Sequence, residues 1–472
     1  MSAGASPATN RRFTLLVTPP PTPNGPLHVG HLSGPYLAGD VAARAAAAAG
    51  QDVVTLCGLD SHQNYVLAKA EAAGQPALET VDHYAGLIRQ ALQAARVEYD
   101  IFTDPTGDSD YRDAVAALLT ELIAAKAVVI EDYALPLCSG CDRTLHHVRV
   151  SGECPGCGTG ACGGTCEGCG RFLTAATLQG AVSACCQAPP RLTLTQLPVL
   201  KLEEHREQLL EVWSQANIPP RVRQLIAGYL ADGLPDIPMA YPSDWGIEWR
   251  HGDAQLRIDV WAEMAIGYLF SVARHVEAGR REHSGADVAG FAPSLADCLE
   301  RWEPVDRVWH FLGIDNAFYY STMIPALLTA AGVRTDFLGG LLVNEFLHLD
   351  GLKFSTSRNH AIWAHEFLAD TDPGPLRAYL SWCRPDCHET DFTNADHAAF
   401  TSWYDAVTGA QPASGIPERL ADMELERAVR ALRLESFDPA LAVRCVLGSY
   451  PARPAEAAEV LRRITGERNA GA

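Results

Sequence analysis

The sequence has 472 residues, enough for about two to four packed units with sizeable cores. With 47% hydrophobic and 20% charged residues it has the balance of a globular enzyme, and no run approaches the ~20 apolar residues of a membrane-spanning helix, so no membrane partner and a cytoplasmic location are expected. A formal net charge of −20 speaks against a broad basic surface for nucleic acid, because phosphate neutralisation supplies much of such affinity.

The run from Phe13 to Val17 is apolar and partly β-branched, and Pro19-Pro20-Pro21 and Asn24-Gly25 end it. It reads as a strand entering a loop, not as an export signal. Leu27-His28-Val29-Gly30-His31 follows, then an alanine-rich helical segment to Ala49 closed by Gly50. Val53 to Leu56 is the next strand and delivers Cys57-Gly58-Leu59-Asp60 at its carboxyl end. These residues form a βαβ unit whose polar groups gather where open parallel sheets bind ligands. Helical patterns run to about Lys126. Tyr133 to Leu200, rich in Cys, Gly and Pro, reads as an insertion, and helical periodicity resumes at Lys201. A second α/β portion spans Trp245 to Leu342, with strands expected at Ile258 to Trp261 and Val308 to Leu312. The tail from Ala398 is helical, with segments at Glu418 to Leu434, Pro439 to Leu447 and Pro454 to Ile464.

Nine of the 14 cysteines lie between Cys138 and Cys186. In a reducing compartment, clustered Cys-x-x-Cys pairs point to metal before disulfides. Cys154-x-x-Cys157 and Cys166-x-x-Cys169 make a four-thiolate zinc site. Cys138-x-x-Cys141 is half of a second set, for which Cys185 and Cys186 are the remaining candidates, with one ligand displaced or missing.

The His28-Val29-Gly30-His31 stretch sits at a strand-to-helix turn. Gly30 lets a flat base approach the backbone, free N–H groups at the helix start favour phosphate oxygens, and two imidazoles can donate to them. Alone, the pattern also fits two ordinary loop histidines. Lys353-Phe354-Ser355-Thr356-Ser357 supplies a lysine in a serine-rich loop, able to clamp leaving phosphates. In this order and spacing the two stretches resemble the His-Ile-Gly-His and Lys-Met-Ser-Lys-Ser signatures of class I aminoacyl-tRNA synthetases. Between them, Cys57-Gly58-Leu59-Asp60-Ser61-His62 resembles the methionyl enzymes' Cys-Ala-Asp-Asp-Ala-His. Val260-Trp261-Ala262-Glu263-Met264-Ala265-Ile266-Gly267-Tyr268 resembles their Val-Trp-Leu-Asp-Ala-Pro-Ile-Gly-Tyr, and His310-Phe311-Leu312-Gly313-Ile314-Asp315 their His-Phe-Ile-Gly-Lys-Asp.

The resemblance implies an α/β, Rossmann-like nucleotide-binding fold with an inserted zinc-knuckle domain and a short C-terminal helical region. The implied layout is catalytic half 1–130, insertion 131–205, catalytic half 206–335, second-signature loop and stem-contact region 336–397, and tail 398–472. It implies ATP held by His28, Gly30, His31, Gly313, Asp315, Lys353 and Ser355, with His28, His31 and Lys353 catalytic. It implies Mg²⁺ on the phosphates and Zn²⁺ on the cysteines. Asp60 takes the substrate ammonium, and Pro20, Thr22, Trp261, Met264, Ala265, Tyr268 and Tyr320 wall the amino-acid pocket.

Pro20, Thr22, Ala265 and Tyr320 replace the family's Leu, Tyr, Pro and His, so methionine is expected to be a poor substrate. Ala240-Tyr241-Pro242 replaces a family Thr-Arg-Asp triplet, and the tail is short for an anticodon-binding bundle. These departures lead to the expectation of an adenylate-forming ligase in specialised metabolism, passing its acyl group to a small amine, hydroxylamine or carrier, with tRNA charging not expected. The alternatives are a methionine–tRNA ligase with a minimal tail and an inactive paralogue acting as a binding module.

Overall fold

In the computed structural model, residues 11–282, 288–354, 360–409 and 418–467 are described. Five strands, β1 (Phe13–Val17), β2 (Val53–Gly58), β3 (Ile101–Thr103), β4 (Val305–Gly313) and β5 (Leu338–Asn344), form a parallel sheet in the order β5-β4-β1-β2-β3. Leu15, Leu16 and Val17 are at most 1% exposed, as a central strand covered on both faces requires. The chain runs outward from β1 to β3 and then returns to build β4 and β5 on the other side. The strand order therefore reverses between β1 and β4, and the crevice beyond their carboxyl ends is the expected ligand position.

The alanine-rich segment is not one continuous helix. Val29–His31 makes a single turn, Leu32–Tyr36 forms a wide turn containing Pro35, and helix α1 (Leu37–Ala48) follows. Proline cannot donate into the helical ladder, which accounts for the break.

The insertion is carried on an arm. Val129–Cys138 pairs antiparallel with Pro190–Lys201, from Val199↔Val129 to Pro190↔Cys138. Short strands and the clustered cysteines lie at its far end.

The strand expected at Ile258 to Trp261 is corrected. The strand is Ala254–Ile258, and Val260 opens helix α2 (Val260–Glu282). Asp259 Oδ1 accepts from the Trp261 N–H at 2.9 Å, a capping bond that starts a helix in an apolar run whose periodicity alone fits either structure.

The tail shares a core with the His28 turn and helix α1. Helices α3 (Pro373–Trp382) and α4 (Pro454–Thr465) contribute Leu376 and Ile464 to an apolar cluster that also holds Val29, Leu37, Phe400 and Val443. No helix among the described residues is long and apolar enough to cross a membrane.

Candidate active site

The two signatures meet at the sheet's switch point. Val29 N–H donates to Ile362 O at 3.0 Å and Ala364 N–H to Leu27 O at 2.8 Å, so the segment following the second signature is laced onto the first. His28 stacks on Phe354 at 4.4 Å between centroids and on His31 at 3.7 Å. A Cβ at Gly30 would sit 3.0 Å from the His28 ring and 3.1 Å from Phe354, so any larger residue pushes on the stacked rings.

The histidines are arranged as donors. His28 Nδ1 accepts from His31 N–H, and His31 Nδ1 accepts from His28 N–H, both at 3.2 Å. Each ring therefore carries its proton on Nε2 and can donate it. Burial, and then the neighbouring His31, hold His28 well below the usual imidazole value. His31 has an exposed face, but crowding in the cleft lowers it to about 4. Both rings are thus neutral donors at physiological pH.

Asp60 follows β2 and is 7% exposed. Its Oδ2 accepts from Thr22 Oγ1 at 2.9 Å, while Oδ1 has no partner. Burial is the main force raising the carboxyl to about 7, with Glu263 and Asp259 adding repulsion against the Thr22 bond and His147. A buried carboxylate oxygen without a partner is costly, and a cation removes the cost. Thr22, expected on the pocket wall, orients this carboxylate.

Around Asp60 stand two histidine–carboxylate pairs that sequence reasoning missed, His62 Nδ1 with Glu263 at 2.8 Å and His147 Nε2 with Asp259 at 2.7 Å. Their partners are 201 and 112 residues apart, so no local spacing announces them.

Pro20, Asp60, Met264 and Tyr268 line one cavity of about 20 Å³, room for about one water. Tyr320 Oη donates to Met264 Sδ at 3.4 Å and lies 3.3 Å from Tyr268 Oη. Trp261 stacks on Tyr319 at 3.6 Å and meets Tyr320 edge-on at 6.2 Å. Ala265 is fully buried on α2.

Across the crevice, a Cβ on Gly313 would come 2.5 Å from Asp315 Oδ1, so the carboxylate folds back over this glycine. Burial, with Glu167 adding to it and Lys353 opposing, raises Asp315 to about 6. Lys353 pairs with Glu167 and lies 3.9 Å from the centroid of the Phe346 ring. Ser355 falls outside the described residues.

Both cysteine sets converge. In each, the four sulfurs lie within 4.8 Å of one another. Cys154–Cys169 and Cys157–Cys166 are 3.7 and 3.5 Å apart, close to the ~3.8 Å of a tetrahedron with zinc–sulfur bonds of about 2.3 Å. Cys138–Cys186 and Cys141–Cys185 are 3.3 and 2.8 Å apart. The adjacent Cys185 and Cys186 both face Cys138 and Cys141, so the second set has four sulfurs rather than three. The first donor set fits a soft, tetrahedral ion as it stands, whereas the sulfurs of the second must spread by about 0.5–1 Å to take one.

The comparisons with known proteins agree with this geometry. The family model "tRNA synthetases class I (M)" matches residues 14–402. A methionine–tRNA ligase of Methanobrevibacter smithii is 30% identical over 377 residues, covering 79% of this chain and 54% of its own. One from Pyrococcus furiosus is 30% identical over 394 residues, covering 80% and 52%. The chain therefore spans about half the length of the curated relatives it matches. The Mycobacterium tuberculosis methionyl-tRNA synthetase in complex with methionyl-adenylate superposes with a TM-score of 0.67 at 18% identity, over 97% of this chain and 92% of that one, a likeness of fold.

These relatives overturn the expectation that tRNA is not a partner, and they lend no support to a small-molecule or carrier acceptor: they are named as ligases of methionine to tRNA. Two arguments misled. Whole-chain charge does not report the local potential of one face, and the segment after Phe392 is packed into the core that holds the His28 turn and α1, so its length says nothing about tRNA. Nothing in the fold or the relatives supports a place in specialised metabolism. The chain belongs to the class I tRNA synthetase family, with a catalytic core of the methionyl type.

Proposed function

We propose that this chain is an ATP-dependent ligase that activates methionine as its adenylate and passes the acyl group to tRNA. The observation that carries the reading is the unpartnered Oδ1 of buried Asp60, which lines a small cavity with Met264 and Tyr268. Asp60 anchors the ammonium. The amino-acid carboxylate attacks the α-phosphorus of ATP, the bond to pyrophosphate breaks, and His28, His31 and Lys353 hold the phosphate oxygens as charge shifts onto them. Mg²⁺, when bound, neutralises the phosphates. Gly313 and Asp315 hold the ribose hydroxyls. A terminal ribose hydroxyl of tRNA then attacks the acyl carbonyl and AMP leaves.

A second reading of the side-chain slot is favoured by the cavity of about 20 Å³ and by Met264, whose own thioether occupies the end reached by Tyr320. In that reading the preferred amino acid is shorter than methionine. Amino-acid-dependent ATP–pyrophosphate exchange across the standard amino acids decides between them, followed by charging of total tRNA at low salt. Methionine-dependent exchange with alkali-labile methionyl-tRNA is the expected result. Absence of exchange with every amino acid sinks both readings, and a clear preference for a smaller amino acid selects the second.

Zinc is assigned to Cys154, Cys157, Cys166 and Cys169, and a second ion to Cys138, Cys141, Cys185 and Cys186. Cys157→Ser lowers bound zinc by one equivalent per chain, because three thiolates cannot close the tetrahedron. Metal analysis of the purified variant checks this; unchanged zinc content removes Cys157 from the ligand set.

A further inference from the structure

The arm's knuckle does more than sit beside the crevice. Its turn, Cys166-Glu167-Gly168-Cys169, is fastened to the crevice wall at two points. A Cβ on Gly170 would come 2.8 Å from Ile314 O, so the backbones are in close contact next to Asp315. Arg221 Nη2 donates to Gly168 O at 2.8 Å, and the same guanidinium pairs with Glu345 at the end of β5. Immediately before these fastenings Glu167 points its carboxylate at Lys353 and forms an ion pair with it. The Phe346 face, 3.9 Å from the ammonium, holds Lys353 from another side.

We propose that Glu167 is a positioning residue that parks Lys353 at the mouth of the crevice and competes with nucleotide phosphates for it, linking the cysteine knuckle to ATP binding. The inference rests on the phosphate-clamping role given to Lys353 above. A triphosphate entering the crevice must draw the ammonium away from Glu167 and tolerate a carboxylate nearby; both effects weaken binding and both vanish with the charge. The side chains are 40% (Lys353) and 67% (Glu167) exposed, so the effect is that of a solvent-screened pair and falls further as salt rises.

The test is ATP affinity measured by calorimetry on the metal-loaded protein without amino acid. Glu167→Gln keeps the shape and removes the charge; ATP binds about two- to fivefold tighter, the range an exposed pair spans. Zinc content measured alongside stays at the wild-type value. In a Lys353→Met background the same Glu167→Gln change gives a smaller gain in ATP affinity, because the competition for the ammonium is gone and only repulsion between carboxylate and phosphates is relieved. Unchanged or weaker ATP binding in the single variant, or an equal gain in the Lys353→Met background, overturns the parking role. A wild-type protein that catalyses exchange but shows no response to Glu167→Gln refutes this inference alone; a wild-type protein that binds no ATP refutes the proposed function with it.

Discussion

Asp60→Ala cripples amino-acid-dependent pyrophosphate exchange, lowering kcat/KM for the amino acid by about two to four orders of magnitude, while ATP still binds. The side chain is 7% exposed and its Oδ1 is unpartnered, so the substrate ammonium that enters meets one counter-charge. Removing one member of a buried pair leaves the other charge uncompensated, typically a cost of about 3–5 kcal/mol. In the proposed reading ATP is held by His28 and His31 and does not use this carboxylate. The same group sets a pH dependence. Burial raises Asp60 to about 7 in the empty site, and only its charged form pairs with an ammonium. As pH rises from 6 towards 7 the amino-acid KM falls, and above the carboxyl's own value it levels off. By the same sign, the stability Asp60 lends the empty protein is complete below its ordinary unfolded value and is lost as pH rises through about 7. Near-normal exchange by Asp60→Ala, or an amino-acid KM flat from pH 6 to 8, removes the anchoring role.

How far the site could be read in advance depended on the range of the signal. The loop at His28, the carboxylate after β2 and the Cys-x-x-Cys pairs are local patterns, in which sequence neighbours are spatial neighbours. The run from Ile258 to Trp261 was ambiguous because four apolar residues fit strand or helix equally; the Asp259 cap, visible only in the structure, starts α2. Cys185-Cys186 looked like a defective half-site because spacing was compared with Cys-x-x-Cys, whereas the turn after it, with Gln187 at φ 59°, brings both sulfurs inward. Glu263 carried no message in sequence because its partner His62 lies 201 residues away. Lys353 and Glu167, 186 residues apart, belong to the same class: their meeting is a property of how the arm folds back on the sheet, which no local spacing encodes.

The largest stability effect is expected far from the chemistry, at Arg377 on α3. It stands mid-helix in Pro373-Gly374-Pro375-Leu376-Arg377 and is 1% exposed. Its Nε donates to Ile464 O at 2.8 Å, its Nη1 to Ala95 O at 2.7 Å, and its Nη2 pairs with Asp40 on α1. Asp40 also receives Arg44 Nε at 2.8 Å. At the end of α4, a Cβ on Gly466 would lie 3.0 Å from the guanidinium carbon, and the residue's φ of +69° already calls for glycine. One planar cation thus joins α1, α3 and α4, and α1 is the helix that follows the His28 turn. Arg377→Met leaves two carbonyls without their donors and a buried carboxylate with Arg44 as its remaining partner, so unfolding free energy drops by about 3–5 kcal/mol. Lysine cannot rescue, because an ammonium lacks the fork that reaches these acceptors in one plane. Asp40→Leu combined with Arg377→Met recovers part of the loss, since an apolar pair removes the stranded charge. Chemical denaturation of the three variants checks this. A loss below about 1 kcal/mol in Arg377→Met, the scale of an exposed pair, means that the tail helices are held by apolar packing alone and that the geometry of the His28 turn does not depend on them.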